Sequence, residues 1–155
     1  MVSLYPELDE GALVQVVQAL RTGDTSKLAP ARAAEVAETR EAATFLDGVK
    51  VPVGEGVELD AALWLHNGEG PHPLIVMPSP WAKQGWSVYT VQAMRFARRG
   101  YHVLAYTTRG FGESGGEVEV AGEKDIADGI KALDHLISQA GGPGSAGRIG
   151  FLGDS

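Results

Sequence analysis

The sequence predicts an α/β fold in which an antiparallel hairpin leads into a parallel βαβαβ sheet, with a helical extension in front. Three observations carry that prediction. Short, continuous apolar runs (HPLIVM, YHVLAY and RIGFL) alternate with segments of helical period. Two strand-like segments separated by a glycine turn precede them. The N-terminal stretch is rich in Ala, Glu and Leu, with apolar residues at helical spacing. Residues 1–44 therefore read as a helical N-terminal extension or cap, and residues 45–155 as the strand-bearing core.

In chain order, Leu13, Val16, Val17 and Leu20 form the stripe of a first helix, and a second runs from Pro30 to Thr44. Thr22-Gly23-Asp24 separates the two. Phe45–Val53 and Val57–His66 are expected to pair across Gly54-Glu55-Gly56. After the turn Asn67–Pro71, His72–Met77 reads as a strand covered on both faces. A helix is expected over Ser87–Arg99, with Ser87 as N-cap and Gly100 just past its end. Tyr101–Tyr106 is the next buried strand. A helix over Glu123–Gln139 follows, with Ile126, Ile130, Leu133 and Ile137 facing the core. Arg148–Leu152 is the third buried strand, and Gly153-Asp154-Ser155 follows it. Buried strands that alternate with helices require crossover connections and a parallel sheet.

Bulk composition removes several function classes. The 155 residues are 44% hydrophobic and 21% charged, enough apolar material to bury a core. With no cysteine, thiolate catalysis, disulfides and cysteine-ligated metal are excluded. A net charge of −7 argues against nucleic acid and anionic membranes, which select a cationic face. The opening MVSLYPELDEG carries acids where a signal peptide carries bases, and no run of 18 apolar residues exists. A cytoplasmic protein with neither cofactor nor metal is expected.

Three segments bear on chemistry. Gly153-Asp154-Ser155, directly after a buried strand, matches the first half of the G-x-S-x-G nucleophile elbow. That sharp turn lifts a serine hydroxyl out of the sheet and under a helix N-terminus, which makes Ser155 the candidate nucleophile. The loop after HPLIVM, Pro78-Ser79-Pro80-Trp81, stands where such folds supply one oxyanion-hole amide. Pro80 has no N–H, so Trp81 and Ala82 are the candidate donors, and Trp81 is preferred because Pro80 restrains the preceding backbone. Finally, Gly110, Gly112 and Gly115 match G-x-G-x-x-G, but the stretch Glu117–Gly122, with Glu117 and Glu119, intervenes before any helix. A dinucleotide site needs the helix to open within the glycines, so that reading is rejected.

The run GYHVLAYTTRGFGESGGEVEV…DIADGIKALDHL…GRIGFLGDS resembles the cocaine-esterase-like acyl esterases and X-prolyl dipeptidyl-peptidases, α/β-hydrolases with a Ser-Asp-His triad. The resemblance covers Val49 to Ser155 and implies the N-terminal half of the α/β-hydrolase fold, up to the nucleophile elbow. Pro80-Trp81 is similar to the Pro-aromatic pair of that group, in which tyrosine is usual. The N-terminal helices resemble instead the cap helices of hormone-sensitive-lipase-like esterases, although His-Gly-Gly, their oxyanion motif, is absent. In such proteins Arg109 with Asp125 or Asp128 looks like a structural brace.

The resemblance implies acyl transfer. Ser155 Oγ attacks an ester or amide carbonyl, while the N–H groups of Trp81 and of the residue after Ser155 hold the oxyanion. Chain order in this fold is serine, acid, histidine, so His66, His72, His102 and His135 are not the general base, and the acid and histidine are expected beyond residue 155. A companion chain or a missing segment would supply the rest of the domain. The alternative is the same fold used without hydrolysis, as a biosynthetic cyclase or acyl transferase, or in a binding role.

Overall fold

A computed structural model of the protein describes residues 10–141 and 148–153. Its elements are α1 (Glu10–Thr22), α2 (Pro30–Ala42), β1 (Ala43–Gly54), β2 (Val57–His66), β3 (Leu74–Pro78), a 3-10 turn (Gly85–Tyr89), α3 (Thr90–Arg98), β4 (His102–Tyr106), α4 (Glu123–Gln139) and β5 (Ile149–Phe151). The strands form one sheet in the order β1-β2-β4-β3-β5. β1, β2 and β4 are paired antiparallel, whereas β4, β3 and β5 are parallel. Pro30 opens α2 at a position whose N–H no helix bond needs.

Side-chain alternation along the strands divides the apolar residues between two cores. Ala62, Trp64, Ile75, Met77, Val103 and Ala105 point to the face covered by α1, α2 and α3. Ala61, Leu63, Leu74, Val76, Leu104 and Tyr106 point to the other face, under Ala132 and Leu136 of α4. Cover on both faces is why these strands read as unbroken apolar runs. Trp64, Phe45 and Trp86 form an aromatic cluster on the first face, with ring centroids 4.9–6.4 Å apart. Val16, Val17 and Leu20 of α1 lie in that same core, so the helical extension shares its packing with the sheet.

Four local expectations change. The helix predicted from Ser87 begins at Thr90, after the 3-10 turn. Ser87 is therefore not its N-cap: the hydroxyl donates to Gln84 O at 2.8 Å, and Ser87 O accepts from the Thr90 hydroxyl. The far end behaves as predicted, with Gly100 N–H on Ala97 O and Tyr101 N–H on Phe96 O, the two bonds of a Schellman cap.

α4 is rotated from its expected face. Ile126 and Ile130 are 65% and 54% exposed, while Asp128, Gly129, Ala132 and Leu136 are buried. Leu133 and Ile137 keep part of the predicted stripe, half-buried against the second core. The small face allows the helix to approach the sheet closely, and Asp128 is drawn inward by Arg109. The third strand, predicted over Arg148–Leu152, is the shorter β5; within these residues it is the unpaired apolar edge that the lack of later strands implies, with Ile149 and Phe151 exposed. Finally, β3 starts at Leu74 rather than His72, because His72 is held in the preceding turn by Gly68 O.

Candidate active site

The C-terminal ends of the parallel strands β4, β3 and β5 lie along one edge, which in open α/β sheets is where ligands bind. Leu152 N–H donates to Val76 O at 3.0 Å. Leu152 thus lies beside the C-terminal half of β3, the strand that leads into the turn carrying Trp81. Asp154 and Ser155 themselves lie outside the described residues.

The Trp81 turn is held at both ends. At its start, Ser79 N–H donates to Tyr106 O at 2.8 Å, and Ser79 Oγ accepts Thr108 N–H at 3.1 Å. At its end, Trp86 N–H donates to Thr107 Oγ1 at 3.0 Å, and the Trp86 indole N–H to Asp60 Oδ2 at 3.0 Å. Between them, Ala82 N–H is used on Pro80 O and Gly85 N–H on Ala82 O. The Trp81 N–H makes no such bond among the described residues, so of the two amides after Pro80 it is the one left to bind a ligand oxygen. The Trp81 indole is 55% exposed and stacks on Phe111, 6.1 Å between centroids at an interplanar angle of 14°.

Gly85 shows how closely this turn approaches β4. Its φ is +57°, and a Cβ there would sit 2.1 Å from Thr107 Oγ1. Both the left-handed backbone and the missing side chain are required.

Behind the edge, Arg109 Nε and Nη2 donate to Asp128 Oδ2 and Oδ1, both at 2.8 Å, with the two side chains 8% and 3% exposed. Asp128, not Asp125, is the partner; Asp125 accepts Gly122 N–H at the start of α4. Asp128 raises the Arg109 pKa further above its ordinary range. Burial, followed by the Asp128 and Asp125 charges, pushes the neighbouring Tyr106 phenol well above its usual value. Tyr106 is thus a neutral hydroxyl.

The 110–115 glycine loop folds on the sheet: Gly110 N–H bonds Gly115 O, and Gly115 N–H bonds Glu58 O. The first-turn amide of Lys124 is already taken by Glu119. Three histidines gather at the opposite end of the strands. His66 stacks edge-on with His72, and His72 with His102, at 4.7 and 5.1 Å between centroids. They stand away from the Trp81 turn. Among the described residues no group of His, Asp and Glu is placed to hold a metal ion, and no helix is long and apolar enough to cross a membrane.

Asp60, Thr107, Ser79 and Ser114 of this edge were not singled out from the sequence. Asp60 carried a readable signal, a carboxylate inside the otherwise apolar stretch LDAALWL. The helical extension meets the same edge: Glu10 of α1 pairs with Lys83, and a cleft of about 290 Å³ separates Leu13, Val14 and Val17 from Asp60, Gln84 and Trp86.

Comparison with known proteins agrees with this arrangement. The curated cocaine esterase of Rhodococcus sp. (strain MB1 Bresler) is 34% identical over 110 residues, which make up 68% of this chain and 19% of that protein. The chain therefore spans about a fifth of the length of that relative. An esterase from Pyrococcus furiosus superposes with a TM-score of 0.53 at 23% identity, over 70% of this chain and 39% of that one. Est1E from Butyrivibrio proteoclasticus, solved with ferulic acid bound, superposes with a TM-score of 0.56 at 17% identity, over 70% and 43%. At those identities the structures show a shared fold, that of the α/β-hydrolases. The family model described as X-Pro dipeptidyl-peptidase (S15 family) matches residues 55–155, and with two thirds of its length inside that match the chain belongs to this family.

Proposed function

We propose that the complete protein is a serine hydrolase that cleaves an ester or amide through an acyl-enzyme on Ser155. One observation carries the reading: in a chain of the S15 family, the Leu152–Val76 bond brings the end of β5 alongside β3 and the turn after it, whose Trp81 amide is unspent among the described residues. Ser155 Oγ attacks the carbonyl carbon as its proton passes to a histidine. The carbonyl oxygen, now an anion, is held by the N–H groups of Trp81 and of the residue after Ser155. Collapse of the tetrahedral species expels the alcohol or amine, and water then releases the acid by the same route. The acid and the histidine come from outside these 155 residues, on a companion chain or a further segment. Residues 1–44 act as a cap beside the site, consistent with the Glu10–Lys83 pair.

In the complete protein, Ser155→Ala is expected to abolish hydrolysis of p-nitrophenyl esters while leaving the melting temperature within a degree or two. Full activity in that variant would sink the mechanism.

A further inference from the structure

We infer that Asp60 is a positioning residue of this site, fixing the Trp81 amide through the indole of Trp86; the catalytic part of this inference rests on the function proposed above. Asp60 stands within β2, one residue before the stretch that pairs with β4, and each of its polar groups ties down a different segment. Its N–H donates to Ser114 Oγ at 2.8 Å and its carbonyl accepts Thr107 N–H at 2.8 Å. Its carboxylate accepts the Trp86 indole N–H at 3.0 Å and lies 3.4 Å from Lys50 Nζ. The first two bonds use the backbone and survive a change of side chain. The bond to Trp86 is the one that depends on the Asp60 side chain, and an oxygen acceptor at that place is what it requires.

The effect of that bond on Trp81 follows from the loop. Residues 79 to 86 are pinned at Ser79 and at Trp86. Between these anchors the chain makes two short turns through Pro80, Ala82 and Gly85. Fixing both ends leaves little freedom to the amide in the middle. Trp86 is 7% exposed and packs edge-on against Trp64, so its ring has a fixed place and its N–H a fixed direction. An oxyanion donor acts only when aimed in advance at the developing charge, so loosening the Trp86 anchor should slow the chemical step and spare substrate binding.

The test uses the complete protein with Asp60→Leu, Asp60→Asn, Trp86→Phe and the Asp60→Leu/Trp86→Phe double variant. Two readouts are taken, hydrogen exchange at the buried, bonded Gly85 amide of the same turn and steady-state hydrolysis of a p-nitrophenyl ester. Asp60→Leu and Trp86→Phe should each speed Gly85 exchange at least tenfold and lower kcat roughly tenfold, with KM within twofold. Asp60→Asn, whose side-chain oxygen still accepts the indole N–H, should restore most of both. The double variant should be no worse than the worse single one, because both remove the same bond. Unchanged exchange at Gly85 in Asp60→Leu overturns the inference, as do independent, multiplying losses or a failure of Asp60→Asn to rescue. Faster exchange with unchanged kcat overturns the catalytic part. Should Ser155→Ala retain turnover, the serine mechanism fails, and the exchange data alone still decide whether Asp60 fixes the turn that carries Trp81.

Discussion

Arg109 and Trp81 do opposite kinds of work within a few residues of the same edge. The Arg109 guanidinium spends two of its N–H groups on Asp128 in a buried, bidentate pair, so its part is to hold α4 against the strand ends. Arg109→Met would leave Asp128 as an uncompensated buried charge, which costs about 3–5 kcal/mol. The complete protein should melt markedly lower, with activity per folded molecule preserved; a large fall in turnover at unchanged stability would show contact with substrate instead. Trp81 is proposed to offer its backbone N–H to the oxyanion, while its ring lies on Phe111. Trp81→Phe should then keep most ester hydrolysis. Loss of an oxyanion donor costs about 10²–10³ in rate, and a loss of that size in Trp81→Phe would show that the indole donates. The brace was legible in the sequence as an arginine at a strand end facing carboxylates on the next helix, but not its partner. Asp125 and Asp128 are one turn apart, and only the rotation of α4 selects between them.

At the scale of elements, strand and helix boundaries were largely written in glycine and apolar period, whereas faces and edges were not. α4 has the predicted ends, yet turns Ile126 and Ile130 outward because Gly129, Ala132 and the drawn-in Asp128 allow a closer approach to the sheet. Hydrophobic spacing favours large residues and misses a small face selected by contact distance. The turn before α3 was similarly missed, since Gly85 reads as loop punctuation until Thr107 stands beside it. Gly85→Ala should lower stability and loosen the Trp86 anchor, because its Cβ would meet Thr107 Oγ1 at 2.1 Å; a melting curve identical to that of the parent would contradict the close approach.

The opposite ends of the strands carry part of the pH dependence, and His135 on α4, also held below its ordinary pKa by burial, carries another. His102 Nδ1 accepts His66 N–H, so the ring is neutral there, and burial, then His72 and His66, hold its pKa below the ordinary histidine value. The unfolded chain thus binds the proton more readily than the folded one. Stability is whole above the unfolded histidine pKa, near 6.5, and falls as pH drops from there toward the lowered folded value. Melting temperature should decrease as pH falls below about 6.5, and less steeply in His102→Phe. An equal slope in both proteins would remove His102 from the account.

For the molecule as a whole, two cores on either side of one mixed sheet explain why apolar runs, a hairpin and two helices sufficed to read the fold. Burial of β5 could not be read in the same way: whether a strand is central or at an edge depends on its neighbours, which its own residues do not encode. Exposed Ile126, Ile130, Ile149, Phe151 and Leu152 give the 155-residue chain a large apolar surface. Taken alone it should bind a hydrophobic dye strongly, and an Ile126→Lys/Ile130→Lys variant less so. Equal dye binding by the two would place the exposed surface elsewhere. The central claim concerns a single hydroxyl. The complete protein treated with a fluorophosphonate should gain one adduct by intact mass, located at Ser155 by peptide fragmentation, and Ser155→Ala should gain none. An adduct at another residue, or ester hydrolysis by a protein that takes up no label, would contradict it.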